Sequence, residues 1–161
     1  MKKILSALFL LLFLSCSQSK TAERALTIDS EIENFFTDYN KAWSEGDVTY
    51  IKQYVYAAPL RIYSGTKTIL LKNDSEVEQF LKETFKILEN QNYGYSKRNK
   101  WESYRKDINN LIIIEQNFTR YLKDGSVMGK NERKASYILM KKPEGYRIVA
   151  LIAHGSVTDK K

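Results

Sequence analysis

Apolar residues recur at helical spacing in the first half of the chain and follow a shorter period in the second half. Helical periods run over residues 28–43 and 77–88. Gly46 is a stop signal for the first helix, and Asp47 is typical of the cap of a short second helix. We expect Pro59 to end that second helix, because proline breaks a helix interior.

Six segments have the composition or the two-residue period of strands. Two short strands flank a turn at Ser64 and Gly65, and four longer strands follow the third helix, with Gly94 as a bulge position. The predicted strands are residues 60–63, 68–72, 93–104, 111–121, 132–141 and 146–154. About three N-terminal helices on one face of a mostly antiparallel sheet make an α+β domain.

The first sixteen residues have the pattern of an export signal that ends at a cysteine. Two lysines precede an apolar run over residues 4–14, which is too short for a membrane span of about 20 residues. Residues 12–16 resemble the bacterial lipobox, although Phe13 and Leu14 depart from its usual residues. The resemblance implies that residues 1–15 are removed and Cys16 is acylated. The alternative is an ordinary secretory signal cut near Ser15 or Ser17.

Cys16 is the only cysteine, so an exported form of this chain has no internal disulfide. Residues 16–26 are polar and small, which is typical of a flexible tether, and the domain is expected over residues 27–157 with a tail at 158–161. Ser17 does not resemble an inner-membrane retention signal. We therefore expect an acyl-anchored protein in the cell envelope, at the outer membrane and facing the periplasm.

The charge is modestly basic. The whole chain carries +7, and loss of Lys2 and Lys3 leaves 24 basic and 19 acidic residues, a net charge of +5. This balance favours anionic headgroups or anionic ligands as neighbours. No nucleic-acid motif accompanies it, so we expect no nucleic-acid partner.

Two local motifs, in register with the order of elements, resemble the nuclear transport factor 2-like superfamily. They are an aromatic helix end followed by Gly-Asp, at residues 39–47, and a Gly-aromatic-Arg-Ile-Val run, at residues 145–149. The resemblance covers residues 28–156. It implies a cone-shaped domain with a curved sheet that encloses a pocket, and a homodimer through the sheet face in some members. A cystatin-like fold is the competing α+β architecture.

Catalytic members of that superfamily place an acid or base, commonly Asp or His, in the pocket, and this chain departs from the pattern. The strand over residues 60–63 has no carboxylate, and His154 is the only histidine. Alternation places His154 on one face with Ile148, Ala150 and Ile152, where Glu115 or Asp38 could approach it. A single histidine without a usable cysteine is a poor metal site, and we expect no metal and no cofactor.

Binding is therefore the first hypothesis, and catalysis is the alternative. Either Glu115 or Gln116 should enter the pocket, because the two alternate along one strand. The candidates for ligand binding are Tyr39, Trp43, Tyr63, Trp101, Gln116 and His154. The first hypothesis is a noncatalytic, lipid-anchored domain that binds a small ligand or a protein. The alternative is a small isomerase- or cyclase-like enzyme that uses His154 with Tyr39.

Overall fold

The computed structural model describes residues 27–106 and 110–154. The predicted signal, Cys16, the tether and the tail lie outside these residues. The described elements are α1 (Ser30–Glu45), α2 (Val48–Tyr50), which runs into a π-helical turn (Ile51–Val55), β1 (Tyr56–Ser64), β2 (Lys67–Leu71), α3 (Asp74–Asn90), β3 (Tyr93–Lys106), β4 (Leu111–Leu122), β5 (Arg133–Lys142) and β6 (Gly145–Ala153).

Helix α1 ends where the sequence predicts. Its buried stripe of Ile32, Phe36, Tyr39 and Ala42 has the spacing of one helical face. Gly46 follows with a φ of 69°, a left-handed conformation that glycine adopts without steric cost. The Asp47 carboxylate then accepts a hydrogen bond from the Tyr50 amide at 2.8 Å, which caps α2.

The six strands form one sheet in the order β2-β1-β6-β5-β4-β3. All neighbours are antiparallel except β1 and β6, which run parallel. The predicted α+β architecture of three helices on a mostly antiparallel sheet is therefore confirmed. One boundary was wrong, because β1 begins at Tyr56 and continues through Pro59. Pro59 is exposed and lies in an irregular stretch of the β1–β6 pairing, where a missing amide hydrogen is tolerated.

Two close contacts fix how α3 and β3 begin. The Asn73 side chain accepts a hydrogen bond from the Glu76 amide at 3.0 Å and caps α3. Gly94 lies in a bulge between Tyr93 and Tyr95, as expected. A Cβ atom at Gly94 would lie 2.7 Å from the carbonyl oxygen of Leu122, so only glycine fits there.

The sheet has an inner face, which packs against the helices, and an outer face. Cross-strand partners point to the same side, so the register assigns residues to faces. On β4, the inner positions include the buried Ile112, Ile114 and Gln116. On β6, Ile148 pairs with Leu139 whereas Ala150 pairs with Ile138, which leaves Val149 as an extra, bulged residue. Beyond this bulge the facing of β6 is reversed.

Among residues 27–106 and 110–154, no helix is both long enough and apolar enough to span a membrane.

Candidate ligand-binding cavity

A cavity of about 650 Å³ lies between α1 and the inner face of the sheet. Its volume is within the range of about 300–1,000 Å³ that is typical of small-molecule sites. Helix α1, strands β4 to β6 and the turn after β1 supply most of its wall. The lining includes Tyr39, Asn40, Trp43, Ser64, Gln116, Phe118, Arg120, Glu132, Arg133, Ala135, Tyr137, Leu151, Ala153 and His154.

Three buried tyrosines form the polar part of the core beside this cavity. The hydroxyl groups of Tyr39 and Tyr56 are 2.9 Å apart, and the rings of Tyr39 and Tyr137 have centroids 6.0 Å apart. Burial raises the pKa of all three phenols above the ordinary value, because it disfavours the phenolate. These hydroxyls therefore stay protonated and act as neutral hydrogen-bonding groups.

Gln116 is the side chain that enters the inner space from β4, and Glu115 points to the outer face. The Gln116 amide nitrogen donates to the Tyr137 hydroxyl at 3.1 Å. Its side-chain oxygen is buried and has no hydrogen-bond partner among the described residues, and the residue is 1% exposed. An unpaired buried acceptor is costly, so this oxygen is a ready site for a donor.

The structure places four of the six predicted ligand-binding residues, Tyr39, Trp43, Gln116 and His154, on the cavity wall. Trp101 is partly buried and packs against the core instead. Its ring packs edge-on against Phe36, with centroids 5.1 Å apart, and its Nε1 donates to Glu33 at 2.9 Å. Register shifts on each side of Trp101 in β3 turn it inward, away from the face of its alternate neighbours.

Tyr63 lies on the outer face near the end of β1. It pairs with Ile152, whereas its neighbour Ile62 pairs with Leu151 and is buried. Tyr63 is 36% exposed, as is typical of a residue that faces away from the helices.

The prediction of which residues share a face with His154 was partly wrong. Because of the bulge at Val149, Ile148 faces inward while Ala150 and Ile152 face outward. At the open end of β6, the Nε2 atom of His154 lies 2.6 Å from the Ser136 hydroxyl and 3.9 Å from Glu115. Glu115 thus approaches His154 as expected, and Tyr39 bonds to Tyr56 instead.

The hydrogen positions in this cluster follow from its chemistry. Ser136 donates to Glu115 at 2.8 Å, because an ionised carboxylate only accepts. The single hydroxyl hydrogen is then used, so the His154 Nε2–H donates to the Ser136 oxygen. A serine nucleophile requires the reverse arrangement, in which the hydroxyl donates to an unprotonated ring nitrogen. Ser136 is also only 3% exposed.

No group of three or more His, Cys, Asp or Glu side chains is placed to hold a metal ion within the described ranges. The sequence-based prediction missed Tyr137, Arg120 and Arg133 on the cavity wall. The signal for Arg120 was available, because it follows Gln116 by four residues and shares its face of β4.

A curved sheet and three helices that enclose a cavity define a nuclear transport factor 2-like domain. The chain belongs to the family described as NTF2-like protein (DUF6841), whose model matches residues 30–156. A search of curated protein sequences gives no significant match.

Solved structures share the fold at low sequence identity. A domain of unknown function with a cystatin-like fold from Nostoc punctiforme is 16% identical and has a TM-score of 0.63, with 81% of this chain and 78% of that chain covered. An NTF-2 like protein of unknown function from Shewanella oneidensis is 15% identical, with a TM-score of 0.60 and coverage of 77% and 96%. An NTF2-like protein from Novosphingobium aromaticivorans is also described as cystatin-like, at 12% identity, a TM-score of 0.62 and 82% coverage of each chain. The two fold names expected as competitors therefore describe one architecture.

Proposed function

We propose that this domain binds a small molecule in its cavity without transforming it. The observation that carries this proposal is the cavity itself, whose wall combines aromatic and aliphatic side chains with several polar and charged ones. The buried tyrosines stay neutral and Gln116 does not titrate, so the inner polar groups suit recognition better than proton transfer.

A fluorescent apolar probe tests binding in the cavity. N-phenyl-1-naphthylamine should bind to the described domain with increased fluorescence. The test variant is Ala153→Phe, at the cavity wall, and the matched control is Ile152→Phe, on the same strand but on the outer face. Absence of probe binding, or equal weakening by both variants, contradicts the proposal.

We also propose that Cys16 carries acyl chains that hold the domain at a membrane of the cell envelope, with the outer membrane facing the periplasm as the expected place. The lipobox resemblance of residues 12–16 and the polar segment after it support this. Labelled palmitate should enter the full-length chain and should not enter Cys16→Ala. Label that persists in the variant contradicts the anchor.

Catalysis at the outer face is the second candidate function, and the contact between His154 and Glu115 favours it. The carboxylate accepts from Ser136 and Ser103, which lowers its pKa and keeps it ionised beside His154. An enzyme of this kind would lose turnover in His154→Gln while the circular dichroism spectrum of the variant shows that it is still folded. A turnover that survives this variant contradicts a role for His154.

A homodimer through the outer face stays a prediction. Exposed apolar side chains on that face include Tyr63 and Ile113, at 36% and 37% exposure. Sedimentation of the domain from Thr27 onward tests it, and a monomer at micromolar concentration contradicts it.

A further inference from the structure

Two guanidinium groups line the cavity, and no carboxylate of residues 27–106 or 110–154 forms an ion pair with them. Arg120 on β4 and Arg133 on β5 both belong to its wall. No described carboxylate lies within salt-bridge distance of either group, and Glu132 at the same wall reaches neither. Arg133 donates to the carbonyl oxygen of Met128 at 3.0 Å, and the Nε atoms of both arginines are buried without a hydrogen-bond partner among the described residues.

This arrangement is electrostatically unfavourable in the unliganded protein. Burial, followed by the nearby charge of Arg120, lowers the pKa of Arg133, yet a guanidinium stays charged at physiological pH. The charge of Arg120 also acts on the buried phenols of Tyr39 and Tyr137, which places it at the polar side of the tyrosine group. Two partly buried like charges repel each other, and an anion between them would relieve the repulsion.

Beside the two arginines, the cavity wall offers apolar surface and one further hydrogen-bonding group. Trp43, Phe118 and Leu151 supply apolar surface. Gln116 supplies a buried oxygen that no donor of the described residues reaches. Along β4, Gln116 and Arg120 are separated by four residues on one face, about 13 Å in an extended strand. An anionic end and a hydrogen-bond donor separated by an aromatic or alicyclic body match this spacing.

We propose that the ligand of this cavity is a small organic anion with an apolar body, held through its charge by Arg120 and Arg133. The inference rests on the proposed function and deepens it by naming the ligand class. Bidentate hydrogen bonds from arginine to a carboxylate or sulfonate are stronger than neutral ones, so the charge should dominate the choice of ligand.

The test compares two fluorescent probes that differ by one charged group. The probes are 1-anilinonaphthalene-8-sulfonate and the uncharged N-phenyl-1-naphthylamine. The sulfonate should bind the wild-type domain about tenfold more tightly than the uncharged probe, as expected for a hydrogen-bonded charge. Arg120→Gln and Arg133→Gln should each remove most of this preference, while affinity for the uncharged probe is retained. Arg61→Gln, an exposed change on the outer face, should leave both affinities unchanged.

Each of the following outcomes overturns the inference. Equal affinities of the two probes would leave the cavity a binding site but remove the anion, so the proposed function would survive alone. Absence of binding by either probe would overturn both proposals. If Arg61→Gln reduces the preference for the sulfonate as much as the cavity variants do, the preference comes from surface charge and not from the cavity.

A second set of variants, which retain the positive charge, is used if the glutamine variants do not fold. Circular dichroism identifies such a failure. In that case Arg120→Lys and Arg133→Lys replace them, and each should keep a reduced preference for the sulfonate, because lysine supplies charge without the bidentate geometry. An unchanged or increased preference in both lysine variants overturns the inference.

Discussion

The hydroxyl groups of Tyr39 and Tyr56 lie 2.9 Å apart, joining α1 to the first residue of β1 inside the core. Burial raises the pKa of both phenols, and also of Tyr137, above the ordinary 10.0. A group whose pKa is raised on folding stabilises the native state below its unfolded pKa. That stabilisation is lost as pH rises above about 10.

We therefore expect alkaline unfolding to accompany ionisation of these three tyrosines. Phenolate absorbance of the native protein should be smaller, at a pH just above 10, than that of the urea-unfolded chain. The remaining increase should coincide with loss of circular dichroism. Full ionisation of all eleven tyrosines in a protein with an intact spectrum would contradict this assignment.

Glu33 should contribute more to stability than its neighbour on α1, Glu31. Glu33 accepts from Arg98 and from the Trp101 indole, whereas Glu31 pairs with Lys141 at the surface. Glu33→Ala leaves a partly buried donor and a cation unpaired, and should lower the free energy of unfolding by about 1–3 kcal/mol. Glu31→Ala should cost about 0.5 kcal/mol, as for an exposed ion pair. Urea unfolding measures both, and equal losses would contradict the role of Glu33.

Glu115 should make stability depend on pH in the acid range. The hydrogen bond from Ser136, above all, lowers the pKa of Glu115 from 4.5, with help from Ser103 and Lys134 and against the effect of burial. A lowered carboxyl pKa stabilises the native state above the unfolded pKa, and this contribution is lost as pH falls below it. Glu115→Gln should flatten the dependence of the unfolding free energy on pH below about 4.5. Asp38→Asn, an exposed change on α1, is the control, and an equal flattening in both variants would contradict the role of Glu115.

Gly94→Ala should distort the beginning of β3. The added Cβ would lie 2.7 Å from the Leu122 carbonyl oxygen, a backbone atom that cannot move aside by rotating a side chain. We expect a loss of about 1–3 kcal/mol in the free energy of unfolding, as for other overpacked sites. Lys97→Ala, an exposed change in the same strand, is the control. A loss no larger than that of the control would contradict the close approach.

Short-range patterns predicted the features that depend on neighbouring residues alone. Gly46 and Asp47 act at the junction of α1 and α2 as expected, because caps are local. Gln116 entered the pocket as simple alternation allows. Alternation along one strand could not predict the bulge at Val149, because a bulge is set by the pairing of β6 with β5. One residue of slip was enough to change the neighbours of His154.

The closeness of Arg133 to Arg120 could not be predicted from the sequence, for a different reason. Arg120 and Arg133 are thirteen positions apart in sequence, and only the β4–β5 hairpin brings them to one wall. Charged residues on a strand are usually solvated, so composition alone assigns them to the surface.

The parallel pairing of β1 with β6 means that the first strand joins the sheet only through the last one and through β2. A ribosome must therefore complete residues 145–153 before β1 acquires its inward neighbour. Such a distant closure is slow compared with helix formation. The sheet consequently cannot be completed until nearly the whole domain has been synthesised.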